Sequence, residues 1–138
     1  MKETTRRNFF ASLAIPLAMT ACHSEAPSQK TATQFMDRYY VNMSLKEAKC
    51  LSTGLASEKL ENQLKLLDGQ NVSAGTNVPK VVFHLVSSEK TGDGEMAYIY
   101  EVKPEAEDVG RRKVFVKVRE ENGKWLVSQW TETDQGPK

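Results

Sequence analysis

Near residue 80 the spacing of apolar residues changes from about 3.6 to 2, and this change restricts the chain to a helical layer laid on a sheet. On the helical side, Phe35, Met36, Tyr39, Tyr40 and Met43 recur on one face behind a capping-box start at Thr31-Ala-Thr-Gln34. Ser44-Leu-Lys-Glu47 is a second capping box, opening a short helix with Leu45, Ala48 and Leu51 inward and Gly54 as its C-terminal cap. A third helix is predicted from Ser57, with Leu60, Leu64 and Leu67 on one face and Asp68-Gly69 as its stop. Helices this short need a surface to bury against, and the second half of the chain supplies it.

After a loop over 70–79, Val81, Phe83 and Leu85 alternate with Val82, His84 and Val86. Beyond Thr91-Gly-Asp-Gly94, Met96, Tyr98, Tyr100 and Val102 alternate with Ala97, Ile99 and Glu101. An acidic connection, 104–110, leads to Val114, Val116 and Val118, which alternate with Lys113, Phe115, Lys117 and Arg119; a last strand runs from Trp125 to about Glu132. Asn122-Gly123 between the final two strands is a strong hairpin signal. A two-residue turn there sets Val118 against Val127 and Val116 against Gln129 on one face, the candidate core. The other face then pairs Phe115 with Trp130, Lys117 with Ser128 and Lys113 with Glu132. A turn centred on Gly92-Asp93 pairs His84 with Glu101. The expected class is α+β, with N-terminal helices packed on a four-stranded antiparallel sheet.

The first twenty-two residues read differently. Lys2, Arg6 and Arg7 precede an uncharged run from Phe9 to Ala21, the layout of an export signal. At about 1.5 Å per residue such a helix falls short of the roughly 30 Å hydrocarbon core. Thr5-Arg6-Arg7-Asn8-Phe9-Phe10 resembles the twin-arginine export signal of bacteria, which gives Arg6, Arg7, Phe9 and Phe10 the role of signal recognition. Met19-Thr20-Ala21-Cys22 is similar to the lipobox of bacterial lipoproteins, which departs here only in having Met19 for the usual Leu. The resemblance implies cleavage before Cys22 and acylation of Cys22, anchoring the protein to a membrane of the cell envelope, on the periplasmic side in a Gram-negative cell, without a spanning helix. The expected organisation is an export signal over 1–21, the lipidated cysteine with a flexible tether over 22–32, a folded domain over 33–133, and a disordered tail over 134–138.

Export of an already folded chain, which the twin-arginine resemblance implies, means folding in a reducing compartment, so no structural disulfide is expected. Cys50 is then unpaired and reads as a buried structural thiol, with a redox role as the alternative. The whole chain has 19 Lys and Arg against 18 Asp and Glu. A balance so near neutral gives no electrostatic case for nucleic acid. His84 and Cys50 alone make no conventional zinc site, and no cofactor is expected. Gly92-Asp-Gly-Glu-Met-Ala97 matches a phosphate-loop spacing but leads into a strand, so it reads as a turn.

The element order over about 31–133, the helix opening at Phe35 to Tyr40 and the closing segment Glu120 to Ser128 resemble the nuclear transport factor 2-like superfamily, in which helices wrap into a bent sheet to make a cone. Ketosteroid isomerase is an enzyme of that superfamily, but no residue here matches its motifs well enough to carry over a catalytic role. The resemblance leaves Tyr39, Tyr98, Tyr100 and Gln129 as candidate pocket residues, set against a plain core role for the tyrosines. His84 with Glu101 has the residue types of a proton-transfer pair, on a face where exposed cross-strand pairs are common. Phe115, Lys117, Arg119 and Trp130 are the candidate partner face, for anionic headgroups, an envelope protein or a second copy of the chain; a solvated, charge-neutralised face is the alternative. Two functions are open on this reading. The first is a membrane-tethered, non-enzymatic binding or interaction module, and the second is a small cone-pocket isomerase, lyase or hydrolase.

Overall fold

A computed structural model describes residues 24–68, 80–105 and 110–135. Arg6, Arg7, Phe9, Phe10 and Cys22 lie outside them. The protein is α+β. Helix α1 (Pro27–Met36) runs into a π-helical turn (Asp37–Val41), followed by α2 (Leu45–Cys50), α3 (Gly54–Leu67) and strands β1 (Val81–Gly92), β2 (Glu95–Pro104), β3 (Arg111–Glu121) and β4 (Lys124–Gln135). The strands form one open antiparallel sheet in chain order.

One face of the sheet carries Tyr98, Tyr100, Val102, Val114, Val116, Val118, Val127 and Trp130, all buried. The helices cover this face with Ala32, Phe35 and Met36 of α1, Ala48 of α2, and Ala56 and Leu60 of α3. Each large side chain enclosed there contributes about 1.5–3 kcal/mol. The core therefore lies between the two layers, as the change of period requires.

Helix α1 begins at Pro27, earlier than the Thr31 start, so 27–32 is helix and not tether. Proline suits the first helical turn, where its missing N–H costs nothing. Small residues let that turn approach the sheet: Ser28 and Ala32 are buried, and Ser28 Oγ lies 2.6 Å from the Tyr98 hydroxyl. Tyr98→Phe is expected to cost about 1–3 kcal/mol in urea unfolding, because it strands the Ser28 hydroxyl in the core. Adding Ser28→Ala should recover part of that loss.

Ser44 does precede α2, but without a side-chain capping bond. Gly54 opens α3 at φ +55° and does not close α2. Along α3, Leu60 is fully buried, Leu64 is partly exposed and Leu67 is exposed, so the C-terminal end of the helix leaves the sheet. Cys50 is exposed, not buried. At the other end of the domain, β4 continues through Gln135 and Asp134 bonds Arg112 at 3.2 Å, so 134–135 are sheet and not tail.

Register departs from the expected pattern at bulges. Asn122 (φ +50°) and Gly123 (φ +78°) form the expected turn, and Val118 pairs with Val127. Ser128 is then an extra residue, so Lys117 pairs with Gln129, Val116 with Trp130, Phe115 with Thr131 and Lys113 with Thr133. That single bulge moves Trp130 into the core and Gln129 opposite Lys117. In the first hairpin the turn is Asp93-Gly94, one residue later than expected, and two irregularities along β1 still bring His84 opposite Glu101.

A candidate binding depression at the start of helix α3

Trp130 is the centre of an aromatic cluster. Its ring centroid lies 5.1 Å from Phe35 and 5.3 Å from Tyr39, tilted in both cases by about 60°. Tyr39 stacks on Phe35 at 5.8 Å and meets Tyr40 edge-on at 4.8 Å. The π turn closes through Asn42 N–H to the Asp37 carbonyl. Tyr39 also bonds Gln63 of α3, and Tyr40 donates its hydroxyl to Glu132.

Beside this cluster a depression of about 230 Å³ is lined by Leu55, Ala56, Lys59, Gln129, Trp130 and Thr131. Its geometry follows from backbone bonds: Thr53 N–H donates to Val127 O and Val127 N–H to Leu51 O, both at 2.8 Å, which clamps the start of α3 to β4. The first turn of α3 has no side-chain cap. Its N–H groups therefore carry the partial positive charge of a helix N-terminus. The Lys59 ammonium sits 4.2 Å from the centre of the Trp130 ring, a cation–π contact, and has no carboxylate partner among the described residues. Among the described residues, Trp130 Nε1 is the buried side-chain polar atom that lacks a hydrogen-bond partner. All three features are donors or cations.

The residues expected to form one pocket do not come together as one. Tyr98 and Tyr100 are each 1% exposed, and their hydroxyls bond Ser28 and Thr33 of α1. Tyr39 belongs to the Trp130 cluster. Gln129 does border the depression, but the bulge makes it the cross-strand partner of Lys117 and not a buried amide of the core face.

The expected partner face is also divided. Trp130 leaves it for the core, while Phe115 stays half-buried between Ile99 and Thr131. Lys117 pairs with Glu95 at 3.2 Å and Arg119 with Glu121 at 2.7 Å, so this basic stripe is locally neutralised. Thr53 and Arg119 hold the Glu121 carboxyl below its usual value. Glu132 lies opposite Val114, not Lys113, and accepts from Tyr40 and Arg112. His84 is exposed, and the Glu101 carboxylate opposite it takes Arg111 at 3.5 Å.

Burial raises the Tyr100 hydroxyl to about 12, against a smaller opposing effect of the Thr33 bond. Burial, then the Glu132 bond and charge, raise Tyr40 further. Both phenols hold their protons in the folded state at pH values where the unfolded chain releases them. Their contribution is complete below about pH 10, the ordinary tyrosine value, and is lost as pH climbs through the folded values. Unfolding midpoints should fall between pH 10 and 12, and Tyr100→Phe should flatten that decline.

Lys59 and Leu55 were not legible as site residues: Lys59 lies off the Leu60, Leu64 and Leu67 face, and Leu55 precedes the expected helix start at Ser57. Trp130 did carry a signal. Val127 and Trp130 are large and apolar at an odd spacing, which strict alternation cannot bury together but one bulge can. No family model and no curated protein matches the chain.

Proposed function

We propose that the chain is an exported lipoprotein, cleaved before Cys22 and held at a cell-envelope membrane by acyl groups on that cysteine. There it acts as a non-enzymatic binding or interaction module of the cone-like, nuclear transport factor 2-like kind. The export signal and lipobox-like residues support the delivery, and the order of helices followed by four antiparallel strands supports the superfamily. The large side chains buried between the layers support the choice of binding over catalysis. Phe35, Met36, Leu60, Tyr98, Tyr100 and Trp130 are buried there, and the depression beside them opens at the surface. An isomerase, lyase or hydrolase working inside the cone would need an interior cavity with a buried ionisable group.

The helix start at Pro27 shortens the leash. From Cys22 to Pro27 the backbone spans at most about 18 Å, so the domain is held close to the headgroups. Fractionation of cells expressing the full chain tests this reading. The wild type should sediment with membranes and show an acylated Cys22 as its first residue by mass spectrometry, and Cys22→Ala should appear in the soluble fraction. Full-length, unprocessed protein in the cytosol would refute the proposal.

A further inference from the structure

We propose that the free edge of strand β1 pairs with the same edge of a second copy of the chain, antiparallel and about a two-fold axis through Phe83. The delivery segment takes no part in this contact, so it stands apart from the anchoring proposal.

The two edges of the sheet differ. The outer edge of β4 is blocked at Val127 by backbone bonds to Leu51 and Thr53, and it carries Glu132 and Asp134 further on. Covering and charge are both devices that keep strand edges from pairing. Among the described residues β1 is paired with β2 alone, which leaves backbone donors and acceptors free along its other edge. From Val81 to Ser88 the strand has no Asp, Glu, Lys or Arg.

This edge fits its own copy. Val81 to Leu85 is in regular register with β2, and the irregularity between Leu85 and Ser87 ends that stretch. A two-fold axis through Phe83 sets Phe83 against Phe83, Val81 against Leu85 and Val82 against His84 of the second copy. Moving the axis to His84 would draw the bulged Val86 into the ladder. Val81, Phe83 and Leu85 are half-buried on the helix-covered face, where Phe83 meets Tyr100 edge-on at 5.7 Å. Pairing therefore extends the core across the axis, apolar against apolar. On the other face Val82 is 52% exposed, and the imidazole of the second copy would cover it. A strand carrying charge of one sign would repel its own copy, and this stretch brings none. Because the β4 edge is blocked, the assembly closes at two and does not grow into a fibre. A contact this short belongs with the weak, transient interfaces below about 1,200 Å².

Disulfide cross-linking in a Cys50→Ser background tests the register. Directly opposed residues lie about 4.5–5.5 Å apart, within disulfide reach, whereas diagonal neighbours lie about 7–8 Å apart. Val82→Cys and His84→Cys, both at exposed positions where folding is not at stake, are made separately in the full chain. Oxidised as a mixture in detergent, they should give several-fold more linked dimer on a non-reducing gel than either variant alone, since each alone offers only a diagonal pair. Sedimentation of the wild-type full chain in detergent should show the mass rising with concentration towards twice the monomer. Val82→Lys sets like charges beside the axis and should weaken this association about tenfold or more. A chain that stays monomeric up to about 1 mM would leave the edge to a strand of another protein and overturn the proposal. So would a Val82→Lys variant that associates like the wild type, or a mixture that links no better than the single variants.

Discussion

Trp130→Ala is expected to lower folding stability by about 3–5 kcal/mol, read as a fall in the urea midpoint with little change in slope. The reason is its position. Trp130 is 2% exposed and is enclosed by Phe35, Tyr39 and Val116 from three different elements. Removing the indole leaves a void bounded by α1, β3 and β4 together, which no single side chain can refill. A loss of that size is a large part of the roughly 5–15 kcal/mol that holds an ordinary domain together. Trp130→Phe should cost much less, since it keeps a ring and removes the unpartnered N–H. Were Trp130 on the open face beside Phe115, truncation would cost under about 1 kcal/mol, as surface changes do.

Phe35→Ala should be comparably damaging, at about 3–5 kcal/mol. Phe35 is fully buried, stacks on Tyr39 and tilts against Trp130, so it fastens α1 to β4. Combined with Trp130→Ala, the two losses should fail to add by about 0.5–1.5 kcal/mol, the range for aromatic pairs in contact. Strict additivity in the double-mutant cycle would mean that the two rings do not touch.

Much of the architecture was legible because it rests on period and turn chemistry. The helix-to-strand switch near residue 80, the Asn122-Gly123 hairpin and the Val118–Val127 pair follow from alternation and from residues that tolerate positive φ, whereas the His84–Glu101 pair results from a later turn offset by two irregularities in β1. Three features escaped for identifiable physical reasons. The first turn of α1 packs through Ser28 and Ala32, so it shows no large apolar residue to read, although Pro27 marks its start. Ser128 breaks the period of 2, and everything after it on β4 exchanges faces; this one residue accounts for the misplacement of Gln129, Trp130 and Glu132 together. The depression depends on Lys59, an exposed helical lysine whose relation to Trp130 arises only from tertiary packing. Alternation locates strands well and bulges poorly, and the site here lies beside a bulge.

The placement of Trp130 on the helix-covered face supports the core, the aromatic cluster and the depression alike. Nuclear Overhauser contacts of its indole protons test that placement most directly. Contacts to Phe35, Tyr39 and the methylene protons of Lys59 are the predicted result. Contacts to Phe115 in their place would mean that Ser128 is not bulged, and the account given of both the core and the binding site would be wrong.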